Sequence, residues 1–139
     1  MPIIRLDVVR GRSPDEITEL LDTAHAAVVE SLGVPVSDRY QILSEHGQAE
    51  IAALDTGLGF QRSREIVIIQ ITTRPRSDSE KKTLYKRLAE MLEERCGLRP
   101  SDLVVSLVEN TDADWSFGGG EAQFLTGALP AKPPSDSGG

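Results

Sequence analysis

Residues 67–80 read Val-Ile-Ile-Gln-Ile-Thr-Thr-Arg-Pro-Arg-Ser-Asp-Ser-Glu, and residues 3–16 read Ile-Ile-Arg-Leu-Asp-Val-Val-Arg-Gly-Arg-Ser-Pro-Asp-Glu. Both stretches follow one plan: an extended run rich in β-branched residues, two arginines separated by one residue, then Ser-x-x-Glu. An offset of 64 residues relates them, and it aligns residues 3–45 with 67–109 without a gap, at 12 identical positions of 43. Unrelated chains of ordinary composition agree at roughly 6% of positions. The chain therefore carries an internal duplication.

Each half reads as β-α-β. Residues 3–9 and 66–72 have the length and β-branched content of strands, and the second is apolar on both faces, as a central strand is. Ser13 with Glu16, and Ser77 with Glu80, form capping boxes that satisfy backbone N–H groups at a helix start, so helices begin at residues 14 and 78. Ile17, Leu20, Leu21, Ala24, Val28 and Leu32 recur at helical spacing, as do Leu84, Leu88, Met91, Leu92 and Cys96. Each helix thus has one apolar stripe to lay on a sheet. Gly33 and Gly97 end the helices, and residues 40–43 and 103–108 supply closing strands. Right-handed crossovers make the strands of each unit parallel. The predicted fold is α/β (α+β): a tandem β-α-β repeat forming a four-stranded sheet with both helices on one face. The uncovered face predicts a dimer or trimer rather than a monomer.

The 139 residues suit one domain. It is expected over residues 2–129, with repeats at about 2–45 and 66–109 followed by a C-terminal aromatic segment. Residues 130–139 hold three Pro, two Ser and two Gly and no large apolar side chain, which predicts a disordered tail. A net charge of −7 without a basic block argues against general nucleic-acid or anionic-membrane binding. The single cysteine permits no intrachain disulfide, and no apolar segment resembles a secretory leader or membrane span. A cytoplasmic protein is expected.

Pro2 follows the initiator Met, and small second residues permit Met removal, which would leave a secondary amine at the chain start. Read alone, Pro2 is a residue tolerated at a strand's first position. Arg74-Pro75-Arg76 alters that reading, because two guanidinium forks before a capped helix concentrate donors for a carboxylate. Solvated turn residues paired with nearby acids are the competing reading, and it is stronger for the duplicate Arg10-Gly11-Arg12. Asp38 fits either a turn before the strand or a polar partner for Pro2. The segment after residue 111 holds the only Trp and two of the three Phe, among glycines that suggest a loop or a bend between short strands. It reads as a cover packed on the core or on a neighbouring subunit. His25 and His46 read as surface or edge histidines, and Cys96 as a small core residue. Gly57-Leu-Gly-Phe60 lacks the context of a dinucleotide loop. Neither a metal nor a cofactor is predicted.

Pro2, the doubled β-α-β plan, Asp38-Arg-Tyr-Gln41, Asp55-Thr-Gly-Leu-Gly-Phe60, Arg74-Pro-Arg76 and Glu109-Asn-Thr-Asp-Ala-Asp-Trp-Ser-Phe117 together resemble the malonate semialdehyde decarboxylases of the tautomerase superfamily. The resemblance spans residues 2–129. It implies a homotrimer, an amino-terminal proline freed by Met removal, a cofactor-independent carboxy-lyase that converts malonate semialdehyde to acetaldehyde and carbon dioxide, and side hydratase activity on unsaturated acids. Pro2 would be the catalytic amine and Asp38 its polar partner. Arg74 and Arg76 would bind the substrate carboxylate, and Trp115, Phe117, Phe124 and Leu129 would form an apolar wall. A keto-enol tautomerase, a hydratase or dehalogenase of the same superfamily, and a non-catalytic trimerising module are the alternatives.

Overall fold

The computed structural model describes residues 2–130. Strand β1 spans Ile3–Val9, helix α1 Pro14–Leu32, β2 Gln41–His46, β3 Val67–Thr73, α2 Asp78–Cys96, β4 Leu103–Glu109 and the short α3 Gln123–Thr126. The expected disordered tail lies, apart from Pro130, outside the described residues.

Both helices begin where the capping boxes place them. Ser13 Oγ accepts from the Glu16 amide at 3.2 Å while Glu16 Oε1 accepts from the Ser13 amide at 2.9 Å, and Ser77 with Glu80 repeats the exchange at 3.1 Å each way. Gly33 and Gly97 stop them at φ 67° and 66°, a left-handed conformation that side-chain-bearing residues rarely adopt.

The sheet order is β2-β1-β3-β4, with β1/β2 and β3/β4 parallel and β1/β3 antiparallel at the centre. Alternation along the strands sends Ile4, Leu6 and Val8 of β1 and Val67, Ile69 and Ile71 of β3 to one face, all buried. There they meet Leu20, Ala24, Ala27 and Val28 of α1 and Leu84, Leu88, Met91 and Leu92 of α2 in one core. The opposite face carries Arg5, Asp7, Gln70 and Ser106 beside Ile42 and Val108, which are 48% and 55% exposed. The two β-α-β units and the one-sided helices match the sequence expectation. Among the described residues no helix is long and apolar enough to cross a membrane.

Several details differ from the sequence reading. Strand β3 starts at Val67, because Ile66 is drawn into a turn in which its amide bonds Ser63 O at 3.2 Å. Strand β2 continues to His46, because β1 offers partners as far as Val9. His46 is thus a strand residue, bonded through Nε2 to Asp7 Oδ1 at 2.7 Å. His25 is buried rather than at the surface, since Nε2 meets Val36 O at 2.7 Å and that bond satisfies this ring nitrogen. The aromatic segment folds as a 3-10 turn over Asp112–Asp114 and the helix α3, not as strands. Gly118, Gly119 and Gly120 all take positive φ there, which no strand accommodates.

Asp102, the duplicate of Asp38, is wholly buried. Its carboxylate accepts from Ser63 N at 2.7 Å, Ser63 Oγ at 2.6 Å and Arg99 Nη2 at 3.2 Å, tying the long segment before β3 to the turn before β4. Burial pushes this carboxyl up, but the bonds from Ser63 and Arg99 outweigh burial and hold it below its ordinary value. A depressed folded-state pKa contributes stability above the unfolded carboxyl value, near 3.9 for an ordinary Asp, and that contribution is lost as pH falls through the folded value. Asp102→Asn should therefore lower stability by about 1.5–3 kcal/mol at neutral pH. In denaturant unfolding followed across pH, the gap to the wild type should shrink below about pH 4. Equal stability at pH 7 would refute the anchoring role.

Candidate active site

The antiparallel register pairs Ile3 with Thr72, and continuing it by one residue sets Pro2 opposite Thr73, directly before Arg74. On the other side β1 pairs in parallel with β2, and the Ile4 amide bonds Tyr40 O at 2.9 Å. Pro2 is buried between these two stretches. The ladder thus brings residues 2, 38–40 and 73–76 to one end of the sheet, where the aromatic segment after β4 also lies.

Arg74 leaves the end of β3 with its side chain only 13% exposed. Nη1 donates to Asp112 Oδ1 at 3.0 Å, and the guanidinium carbon stands 3.9 Å above the centre of the Phe124 ring. Nε is buried and has no hydrogen-bond acceptor among the described residues. Arg74 is thus a fork held at one corner and on one face, with a donor left over. Such a donor inside a protein strongly favours any ligand that brings an acceptor.

Arg76 is held differently. Nη1 donates to Leu32 O at 3.0 Å at the end of α1, Nε to Thr73 Oγ1 at 3.2 Å, and the backbone amide to Glu109 Oε2 at 2.8 Å. Burial pulls this guanidinium below its ordinary value; Glu80 and Asp38 oppose the fall and Arg74 adds to it. Asp38 and both arginines therefore share one electrostatic neighbourhood, and an arginine stays charged at neutral pH. The backbone of Asp38 closes a turn, its amide bonding Pro35 O at 3.0 Å. Arg39 is a solvated loop residue, bonded to Asp22 and Gln41.

The aromatic residues form one stack. Phe117 lies 5.3 Å from Trp115 at 10°, 5.9 Å from Tyr40 at 28°, and edge-on to Phe124 at 5.5 Å. Trp115 Nε1 donates to Asn110 Oδ1 at 2.7 Å, which leaves its ring as an apolar surface. Gln123 fixes the loop: Oε1 accepts from the Phe117 amide at 2.9 Å and Nε2 donates to Gly118 O at 2.7 Å. The Leu129 amide bonds Gln123 O at 3.0 Å, so Leu129 joins the same segment. Tyr40, Asp112 and Gln123 were not singled out from the sequence. Tyr40 and Asp112 lie inside quoted motifs, but nothing local marks a stacking or ion-pairing partner. Arg10 and Arg12 lie at the other end of the sheet, with Cys96. Cys96 is half-buried at the edge of the core rather than within it, because it is the last residue of α2 and lines the cavity beside Arg10 and Arg12. Asp55 serves as a turn acceptor for the Gly57 and Gly59 amides.

Two family models described as tautomerase enzyme match the chain, one over residues 38–118 and the other over residues 2–61. The chain belongs to the tautomerase family. Among its relatives is the probable tautomerase YrdN of Bacillus subtilis (strain 168), 50% identical over 129 residues that cover 93% of this chain and 100% of that protein. Among tautomerase-family structures, a malonate semialdehyde decarboxylase solved in wild-type, mutant and inactivated forms is 49% identical. It superposes with a TM-score of 0.90, covering 91% of this chain and 98% of that one. A second malonate semialdehyde decarboxylase, inhibited by 3-bromopropiolate, is 40% identical with a TM-score of 0.89 and coverages of 94% and 99%.

The two arginines should separate on mutation. Arg76→Ala removes the donor to Leu32 O inside the fold and should lower stability by about 1–3 kcal/mol. Arg74→Ala, whose partner Asp112 can rehydrate, should cost less stability than that. Denaturant unfolding of both variants checks the order, and equal losses would contradict the division of roles.

Proposed function

We propose that this tautomerase-family protein decarboxylates malonate semialdehyde to acetaldehyde and carbon dioxide, with the amine of Pro2 as its catalytic group. The observation that carries the reading is the fixed Arg74 fork, with an uncommitted buried Nε donor, at the Pro2 end of the sheet and against an aromatic wall. The two decarboxylases that are 49% and 40% identical support it, the first being described with decarboxylase and hydratase activities.

Loss of carbon dioxide breaks the bond between the carboxylate carbon and C2. Its electron pair passes to C2 and into the aldehyde, and a proton then returns to C2. A protonated Pro2 donating to the aldehyde oxygen stabilises the developing enolate. Alternatively, Pro2 adds to the aldehyde with loss of water, and the iminium takes up the pair before hydrolysis releases acetaldehyde. Asp38 favours a charged amine and the arginines oppose one. Arg74 and Arg76 orient the carboxylate. Holding it as tightly in the ground state as in the transition state would add nothing to turnover. Trp115, Phe117, Phe124 and Leu129 provide the apolar side that suits neutral carbon dioxide and excludes water. The same amine and aspartate would manage water addition to unsaturated acids as a side activity.

The name of the YrdN relative favours a second reading, keto-enol tautomerisation with a neutral Pro2 as general base. Turnover of malonate semialdehyde against ketonisation of phenylenolpyruvate separates the two, and turnover of neither by protein with a free Pro2 amine would leave a non-catalytic module. Pro2→Ala should remain folded and lose decarboxylation by roughly 100-fold or more. Full activity in that variant would end the proposal. Borohydride with substrate should add mass at Pro2 if the iminium route operates. The open sheet face with exposed Ile42 and Val108 points to self-association as a homotrimer. Light scattering should report a mass near three chains, and an active monomer would contradict it.

A further inference from the structure

We infer that the protein has a second carboxylate-binding site, which holds its ligand without transforming it, in the cleft where Arg10-Gly11-Arg12 faces the end of α2. The cavity there has a volume of about 550 Å³. Its floor is apolar and buried, made by Val9, Leu20 and Leu98, with the half-buried Cys96 beside them. Its rim carries four guanidinium groups, from Arg10, Arg12, Arg64 and Arg95. Arg12 is pinned across the cleft by Nη2 donating to Glu65 O at 2.8 Å.

Three carboxylates also line the cleft, those of Glu16, Glu19 and Glu65. Glu16 is committed to the Ser13 amide and Glu19 accepts from Thr23 Oγ1 at 3.3 Å. Four guanidinium groups against three carboxylates leave the cleft with a net charge of +1, in a chain of net charge −7. All four cations are arginines, whose planar forks suit a carboxylate better than a lysine does. An apolar floor under a guanidinium rim fits an acid with an apolar body, and the volume admits one larger than a three-carbon acid.

The duplication explains why binding would occur without reaction. Moving the Pro2 end by 64 residues puts Ile66 where Pro2 stands, Arg10 and Arg12 where Arg74 and Arg76 stand, and Asp102 where Asp38 stands. Ile66 offers no amine, and Asp102 is tied to Ser63 and Arg99. The cleft keeps the arginines of the other site and none of its acid-base groups.

Cys96 is the only cysteine, so its thiol reports on this cleft alone. Burial pushes the thiol up from its ordinary value, so its alkylation by iodoacetamide is followed at alkaline pH. Phenylacetate should slow alkylation saturably in the full chain and in Arg74→Ala, whereas the neutral isostere phenylacetamide should not. In the Arg10→Ala/Arg12→Ala double variant, half-protection should need roughly tenfold more phenylacetate or higher, the scale of losing charge-assisted bonds. Methyl NMR of Leu20 and Leu98 gives a second readout on the same titration, and it serves equally where Cys96 alkylates too slowly to follow. Equal effects of phenylacetate and phenylacetamide, no response of thiol or methyls to phenylacetate, or an unchanged half-protection concentration in a folded double variant would each overturn the inference. Because the readouts sit in this cleft, its failure would leave the proposal for Pro2 untouched.

Discussion

Six antiparallel pairs, from Ile3↔Thr72 to Val8↔Val67, join the two halves of the molecule, and the juxtaposition of Pro2 with the arginines of the candidate site follows from that ladder. An antiparallel junction sends equivalent ends of the repeats to opposite ends of the sheet's strands. The start of β1 therefore lies beside the end of β3, which is how Pro2 comes next to Thr73 and Arg74. A parallel junction would have set Pro2 beside Ile66, far from those arginines. The same ladder places two strands with helices on one face in the middle of the sheet, so both helices share one core.

The duplication also allows a residue to be compared with itself in two settings. Asp38 and Asp102 occupy equivalent positions, but Arg99 beside Asp102 corresponds to Pro35 beside Asp38. Proline has no side-chain donor. Asp102 is accordingly held by Arg99 and Ser63 in a wholly structural arrangement, whereas Asp38 contributes its charge to the neighbourhood of Arg76. Identical chemistry at the two positions thus yields a fastening at one end of the sheet and a polar neighbour for the arginines at the other.

Signals carried by a few adjacent residues were legible in the sequence. Ser13, Ser77, Gly33 and Gly97 bound both helices because capping is local. Strand ends were less legible, since β2 stops where its partner does, at the pairing of Val9 with His46. The burial of His25 was hidden because its acceptor, Val36 O, lies beyond the helix in a turn with no pattern of its own. At the candidate site the arginines, the aspartate and the aromatic wall were visible as residue types. The ion pair from Arg74 to Asp112 and the stacking of Tyr40 on Phe117 were not, because they join segments 38 or more residues apart. Only the ladder brings them together.

The segment after β4 is tied to the sheet by few polar points, Asn110 N to Thr73 O and the ion pair of Asp112 with Arg74, and is braced within itself by Trp115 on Asn110 and by the two bonds of Gln123. It supplies three of the four stacked rings, but it belongs to neither repeat and contributes nothing to the core beneath the helices. The aromatic surface beside Arg74 can therefore change without altering the scaffold that positions Pro2. The stretch is in that sense a cassette, separable from the duplicated core. Its junction falls just after Glu109, where the sheet ends and the aromatic cover begins.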